Sequence, residues 1–285
     1  MRAPSQRPSQ RPNQRPSQRP SHNAPATTPQ PQRLNHNAPA NKRAPMNVLI
    51  VHAHPEPKSF NAAMKDLAVA TLCDAGHEVV VSDLYAMNFN PVASAADFGQ
   101  RANPDYLVYA LEQRHAVATA SLAPDIAAEL EKLRRADFIL FNFPIYWFSM
   151  PAILKGWIDR VFVSGVCYGG RRIYDRGGLA GKRAMLAFSL GGREHMFGPG
   201  AIHGELDTLL RPIEQGMLAY VGLTVLPRFA AYHVPYLSDE ARADCLARYR
   251  QHLLALDTLQ PLRFPTLEHY DEQLRPKTAS PASGD

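Results

Sequence analysis

The chain has 285 residues, 45% of them hydrophobic, and a formal net charge of +5, so it can bury a full core and is not dominated by charge. Arg2, Arg7, Arg11, Arg15, Arg19, Arg33, Lys42 and Arg43 all stand in the acid-free first 45 residues, which leaves −3 for the rest and excludes a basic nucleic-acid-binding surface as the default for the folded part. The three cysteines, Cys73, Cys167 and Cys245, are odd in number and widely spaced, which excludes a disulfide framework or a zinc site and points to reduced thiols.

Residues 1–45 repeat QRPS and QRPN spacings and carry HNAPA twice. Proline every few residues blocks helix and sheet, and there is almost nothing apolar to bury, so a disordered, polyproline-like tail is expected. The same prolines prevent the amphipathic helix of a transit peptide, and no apolar secretory core exists, which makes the cytoplasm the expected location. From residue 46 the pattern changes. Apolar runs at 48–52, 78–82, 138–143, 184–190 and 224–229 read as strands, and their unbroken apolarity implies a sheet covered on both faces. Helices are expected over 59–75, closed by Gly76; 124–135; 152–161 after Pro151; 205–221; and 238–256. The longest apolar stretch, FILFNFPIYWF, is too short to span a bilayer. The expected architecture is one α/β domain over 46–260, a doubly wound sheet of five parallel strands with helices on both faces, followed by a C-terminal extension over 261–285 whose end is disordered.

Right-handed crossovers in such a sheet gather the loops after the strands at one switch point. Here these loops hold His54, the segment Pro144, Ile145, Tyr146, Trp147 and Phe148, and the segment Ser189, Leu190, Gly191 and Gly192. The first strand runs into a helix start near Ser59, whose unpaired N–H groups suit a phosphate. Neither G-x-G-x-x-G nor the Walker A pattern is present, which removes the Rossmann dinucleotide mode and the P-loop nucleotidases. A flavin remains: aromatics at 146–148 can pack on its ring, and Gly191 and Gly192 let backbone N–H groups approach its carbonyls.

The segments AHPEPKSFNAAMK, SDLYAMNFNP, FPIYWFSMPAILKGWIDRVF, the GG after the fourth strand, and IHGELD resemble the NAD(P)H:quinone oxidoreductase (DT-diaphorase) family of flavodoxin-like flavoproteins over residues 46–257. The resemblance implies a homodimer with FAD at its interface, taking hydride from NAD(P)H and reducing a quinone by a ping-pong route. It places the FAD pyrophosphate near His54, Lys58, Phe60 and Asn61, with Lys58 in place of a hydroxyl residue. Pro144 to Phe148 match the segment along the ring edge, and Ser189 to Gly192 the loop on the pyrimidine side, where Leu190 replaces a threonine. Arg242 and Leu246 match the adenine contacts and favour FAD over FMN.

Two departures concern the reacting end. Phe197 and His203 stand where the family carries a Tyr–His pair that stabilises negative charge on the flavin, and phenylalanine cannot donate. Two tyrosines of the substrate lid map to Tyr168 and Gly170, so one wall of the lid is lost. Other roles compete for some residues: His54 as a cap of its own turn, His203 as a helix cap, Trp157 as a core aromatic and Asp83 as part of a structural connection. His77, His115, His195 and His233 show no partner at metal-ligand spacing, so no metal is expected. An ancillary subunit of a membrane transporter and a one-electron flavodoxin are the alternative functions, the second weakened by the missing T-x-T-G-x-T loop.

Overall fold

The computed structural model describes residues 44–277, so the expected disorder of the tail and of the last residues falls on 1–43 and 278–285, outside the described residues. Strands β1 (Asn47–His52), β2 (Glu78–Asp83), β3 (Phe138–Pro144) and β4 (Arg183–Ser189) are all parallel, in the order β2-β1-β3-β4. The single strand expected over 224–229 is two pieces, β5 (Thr224–Val225) and β6 (Phe229–Ala231), both parallel to β4. Arg183 pairs with Thr224 and Ala187 with Phe229, so one extra residue is inserted between the pieces, at a point where Pro227 has no N–H to pair. The result is the 2-1-3-4-5 order of a flavodoxin-like sheet.

Successive strand residues point to opposite faces, and both faces are apolar. Val48, Ile50, Phe138, Leu140 and Met185 meet Met64, Ala68 and Leu72 of α1 (Phe60–Asp74) and Tyr249 and Leu253 of α6 (Asp239–Leu254). Leu49, Val51, Ile139, Phe141 and Leu186 meet α3 (Pro124–Arg135), α4 (Ala152–Val161) and α5 (Leu206–Ile213). The expected helix over 205–221 is α-helical only to Ile213. Pro212 removes one amide from the ladder, and Glu214–Ala219 widens into a π-helix. A helix that the sequence pattern does not show, α2 (Tyr109–Ala118), buries Glu112 and Gln113 as well as Ala116, and so carries no apolar stripe to read.

The long connection after β2 is tied down by charge. Arg160, almost fully buried on α4, lies 2.8 Å from Asp97 and 2.6 Å from Asp125, donates to the Asn90 carbonyl at 2.8 Å and covers the Phe89 ring. Tyr109 donates to Asp97 at 2.5 Å. Beside this network Gly156 of α4 lies against Pro91, so closely that a Cβ would collide with the Pro91 carbonyl oxygen. Asp83 accepts the Ala86 N–H and opens the turn after β2, which is the structural role expected of it. Trp157 is fully buried and donates to Glu129 at 2.8 Å, as a core aromatic. Within the expected C-terminal extension, residues 261–277 are tied to the domain: Leu262 donates to Val225 O, Leu267 donates to the Asp175 carboxylate, and Arg171 donates to the carbonyls of Asp271 and Glu272.

Candidate functional site

The carboxyl ends of β1, β3 and β4 carry three segments, each with a pair of backbone N–H groups that find no partner among the described residues. The first opens α1. Ser59 caps the helix, accepting from Ala62 N at 3.1 Å, and this leaves the amides of Phe60 and Asn61 free at the positive end of the helix dipole. His54 caps its own turn, its Nδ1 accepting the Glu56 N–H at 3.0 Å; burial holds its pKa below the ordinary value, which keeps that nitrogen free to accept. Lys58 is exposed, and its N–H donates to the Glu56 carboxylate. Asn61 is buried, accepts from the Ser189 hydroxyl at 2.5 Å, and leaves its Nδ2 without a partner.

The second segment follows β3. Tyr146 and Ser149 exchange both backbone hydrogen bonds around Trp147 (φ +48°) and Phe148 (φ +59°), a two-residue turn of the type that requires positive φ at both central positions. Asn-Gly is the usual choice there, and two bulky aromatics are strained by roughly 1–3 kcal/mol each. Trp147 is 96% exposed, and the N–H groups of Trp147 and Phe148 point out of the turn unpaired. Pro144 and Ile145 lead into it as strand end and link, with Ile145 donating to Ser189 O at 2.8 Å.

The third segment follows β4 and is laced to residues 231–234. Leu190 donates to Ala231 O and accepts from Val234 N, and its side chain is buried in the core, so Leu190 shapes the loop instead of presenting groups at its surface. The carbonyls of Gly191 and Gly192 are held as well, which leaves the Gly191 and Gly192 amides free on the opposite side. A Cβ at Gly192 would sit 2.9 Å from the Phe197 ring, so any side chain there would have to displace that ring. Below these loops His52 and Asn142 form a buried 2.7 Å contact; neither was marked by the sequence, since a histidine ending an apolar strand carries no motif.

His203 lies between two rings, 5.3 Å from that of Phe148 and 5.1 Å from that of Phe197, and makes no side-chain hydrogen bond to α5. Lys58, Phe60, Arg242 and Leu246 line one groove of about 570 Å³ between the start of α1 and α6. Tyr168 stands apart, packed on Tyr220 at 5.8 Å, and makes no ring contact with Phe148, Phe197 or His203. Gly170 is exposed beside it. A cavity of about 1250 Å³ lies beside Phe197 between residues 194–207 and α6, and of the sequence-derived site residues it includes only Phe197. No group of side chains suited to a metal occurs among the described residues, and no described helix is long and apolar enough to cross a membrane.

A 2-1-3-4-5 parallel sheet with its ligand loops at the strand ends defines a flavodoxin-like protein. A family model described as a flavodoxin-like fold matches residues 46–253. The chain is 40% identical to NAD(P)H dehydrogenase [quinone] 1 of Rattus norvegicus over 78% of its own length and 82% of the relative's. It is 41% identical to ribosyldihydronicotinamide dehydrogenase [quinone] of Homo sapiens over 78% and 96% of the two chains. The solved structure of a quinone reductase homologue from Klebsiella pneumoniae superposes with a TM-score of 0.77 at 40% identity, covering 84% of this chain and 97% of the other. The chain therefore belongs to the flavodoxin-like NAD(P)H:quinone oxidoreductase family.

Proposed function

We propose that the protein reduces quinones with NAD(P)H by a ping-pong route, with FAD as its resident cofactor and a second copy of the chain completing the site. The observation that supports this is the three pairs of unpartnered amides, at Phe60 and Asn61, Trp147 and Phe148, and Gly191 and Gly192. One pair sits at a helix N-terminus, suited to phosphate; the other two are fixed donors suited to the carbonyl and nitrogen edge of a flat heteroaromatic ring. Asn61 Nδ2 is a further buried donor waiting for an acceptor. Flavin would supply the capacity to take a hydride from one substrate and give it to the next.

The chain's own groups do the rest. Lys58 and the α1 amides would hold the pyrophosphate, and Arg242 and Leu246 the adenine end, which is the reason for favouring FAD over FMN. Trp147, Phe148 and Phe197 would exclude water from the ring, and His203 would stand at its edge. Tyr168 reaches no other site residue in one chain, so a role for it as a lid needs the partner of a homodimer. The three cysteines are all free thiols, in keeping with a cytoplasmic setting.

The visible spectrum of the purified protein and the mass of its released cofactor test the proposal directly, together with NAD(P)H–quinone turnover. A yellow protein releasing FAD is expected, and Arg242→Ala is expected to weaken FAD by roughly tenfold while leaving FMN-supported activity unchanged. Equal damage with both flavins would remove Arg242 from the adenine site. A colourless, inactive protein would favour the ancillary-subunit alternative.

A further inference from the structure

Two adjacent glycines make a poor anchor on their own, because without Cβ atoms the peptide between them can turn either way at little cost. In this loop every carbonyl is held. Leu190 O accepts from Val234 N at 3.2 Å, Gly192 O accepts from His233 N at 2.9 Å, and Gly191 O lies 3.0 Å from His233 Nδ1, which must carry its proton to face a carbonyl. A trans peptide points its N–H opposite its C=O. Holding Gly191 O therefore aims the Gly192 N–H outward, and this is the one plane of the loop fixed by a side chain.

His233 is itself held in place. Its φ of +58° is a left-handed conformation that histidine tolerates better than most residues, and its ring rests 4.8 Å from that of Tyr236. A donor on the carbonyl side of an amide also polarises it and makes its N–H a stronger donor.

We propose that His233 is a positioning residue: its imidazole locks the Gly191–Gly192 peptide so that the Gly192 amide stays aimed at, and strengthened toward, the bound flavin. The inference rests on the flavin reading above. The Gly192 amide gains most when its acceptor becomes negatively charged, so the clamp favours reduced over oxidised flavin.

Two variants separate this from a purely structural role. In His233→Asn the Nδ2 donor occupies the place of the imidazole Nδ1, and asparagine accepts the same backbone conformation; in His233→Gly the backbone is kept and the donor is lost. The measurements are FAD dissociation constants of the full-length protein in oxidised and anaerobically reduced forms, with the melting temperature as a check on folding. The Gly variant is expected to lose about tenfold in affinity for reduced FAD and about threefold for oxidised FAD, with KM for quinone unchanged, and Asn to recover most of both. Equal losses for the two forms, or an Asn variant no better than Gly, would overturn the inference alone. Wild-type protein that binds no flavin would overturn it together with the reading on which it rests.

Discussion

Phe197, which the sequence resemblance matches to a phenol, turns its ring edge toward Gly192 and lies 5.1 Å from the His203 ring, tilted by 44°. A hydroxyl added at the ring tip would extend from Cζ, which lies 3.2 Å from where a Gly192 Cβ would sit, and so would stand beside the glycine loop. Phe197→Tyr is therefore expected to speed reduction of the bound cofactor by NAD(P)H on the order of tenfold, about 1.4 kcal/mol of transition-state stabilisation, with less effect on the oxidative half-reaction. Stopped-flow bleaching of the visible absorbance reads this directly. If Phe197→Tyr is silent while His203→Gln slows reduction, the histidine carries the charge alone; if both are silent, the amides do, and neither side chain belongs to the reacting machinery. The loop glycines and the aromatics at 146–148, proposed above to hold the flavin, could be singled out in the sequence because their residue types suit that chemistry. His233 was not, since a lone histidine in a chain with eleven shows nothing of the carbonyl it faces.

At the scale of elements, α4 shows how close packing overrides propensity. Alanine is the better helix former by about 1 kcal/mol, yet Gly156→Ala drives a methyl into the Pro91 carbonyl oxygen. The expected outcome is a net loss of about 1–3 kcal/mol, seen as a lower midpoint in urea unfolding; unchanged or greater stability would show that the connection after β2 yields easily. The contact also ties SDLYAMNFNP to PAILKGW: Pro91 is the last residue of one segment and Gly156 lies in the other. Strands β1, β3 and β4 could be read because residues buried on both faces leave an unbroken apolar run. The fifth strand could be read in its place but not in its division, because its apolar run conceals a one-residue insertion at Pro227, and α2 was missed because Glu112 and Gln113 fill its inner face. Helix α5 was read too long for a related reason: an apolar stripe continues through the π-helical turns while the hydrogen-bond ladder changes beneath it.

For the whole molecule, the Arg160 network joins the connection after β2 to α2, α3 and α4, and so sets the response to acid. Burial alone would raise the Asp97 carboxyl; the Arg160 guanidinium and the Tyr109 hydroxyl outweigh it and hold the pKa below the usual carboxylate range. A depressed acid contributes its stability above the unfolded value, near pH 4, and loses it as pH falls through the folded value. Asp97→Asn is expected to cost about 3–5 kcal/mol at neutral pH, because Arg160 is left under-compensated, and to flatten the loss of stability between pH 4 and more acid conditions. Thermal unfolding at several pH values checks this, and parallel curves for variant and wild type would refute it. The divided fifth strand bears on association between molecules. Open sheet edges invite another chain to add a strand, but beside β4 the row of donors and acceptors is broken between two short pieces at a residue with no amide. Among the described residues that leaves β2 as the one continuous edge, bearing Glu78 and Asp83 at its ends. In the homodimer proposed above, a second copy meeting this protein near its glycine loop would do so with side chains and loops, which would keep assembly separate from the β-addition that begins aggregation.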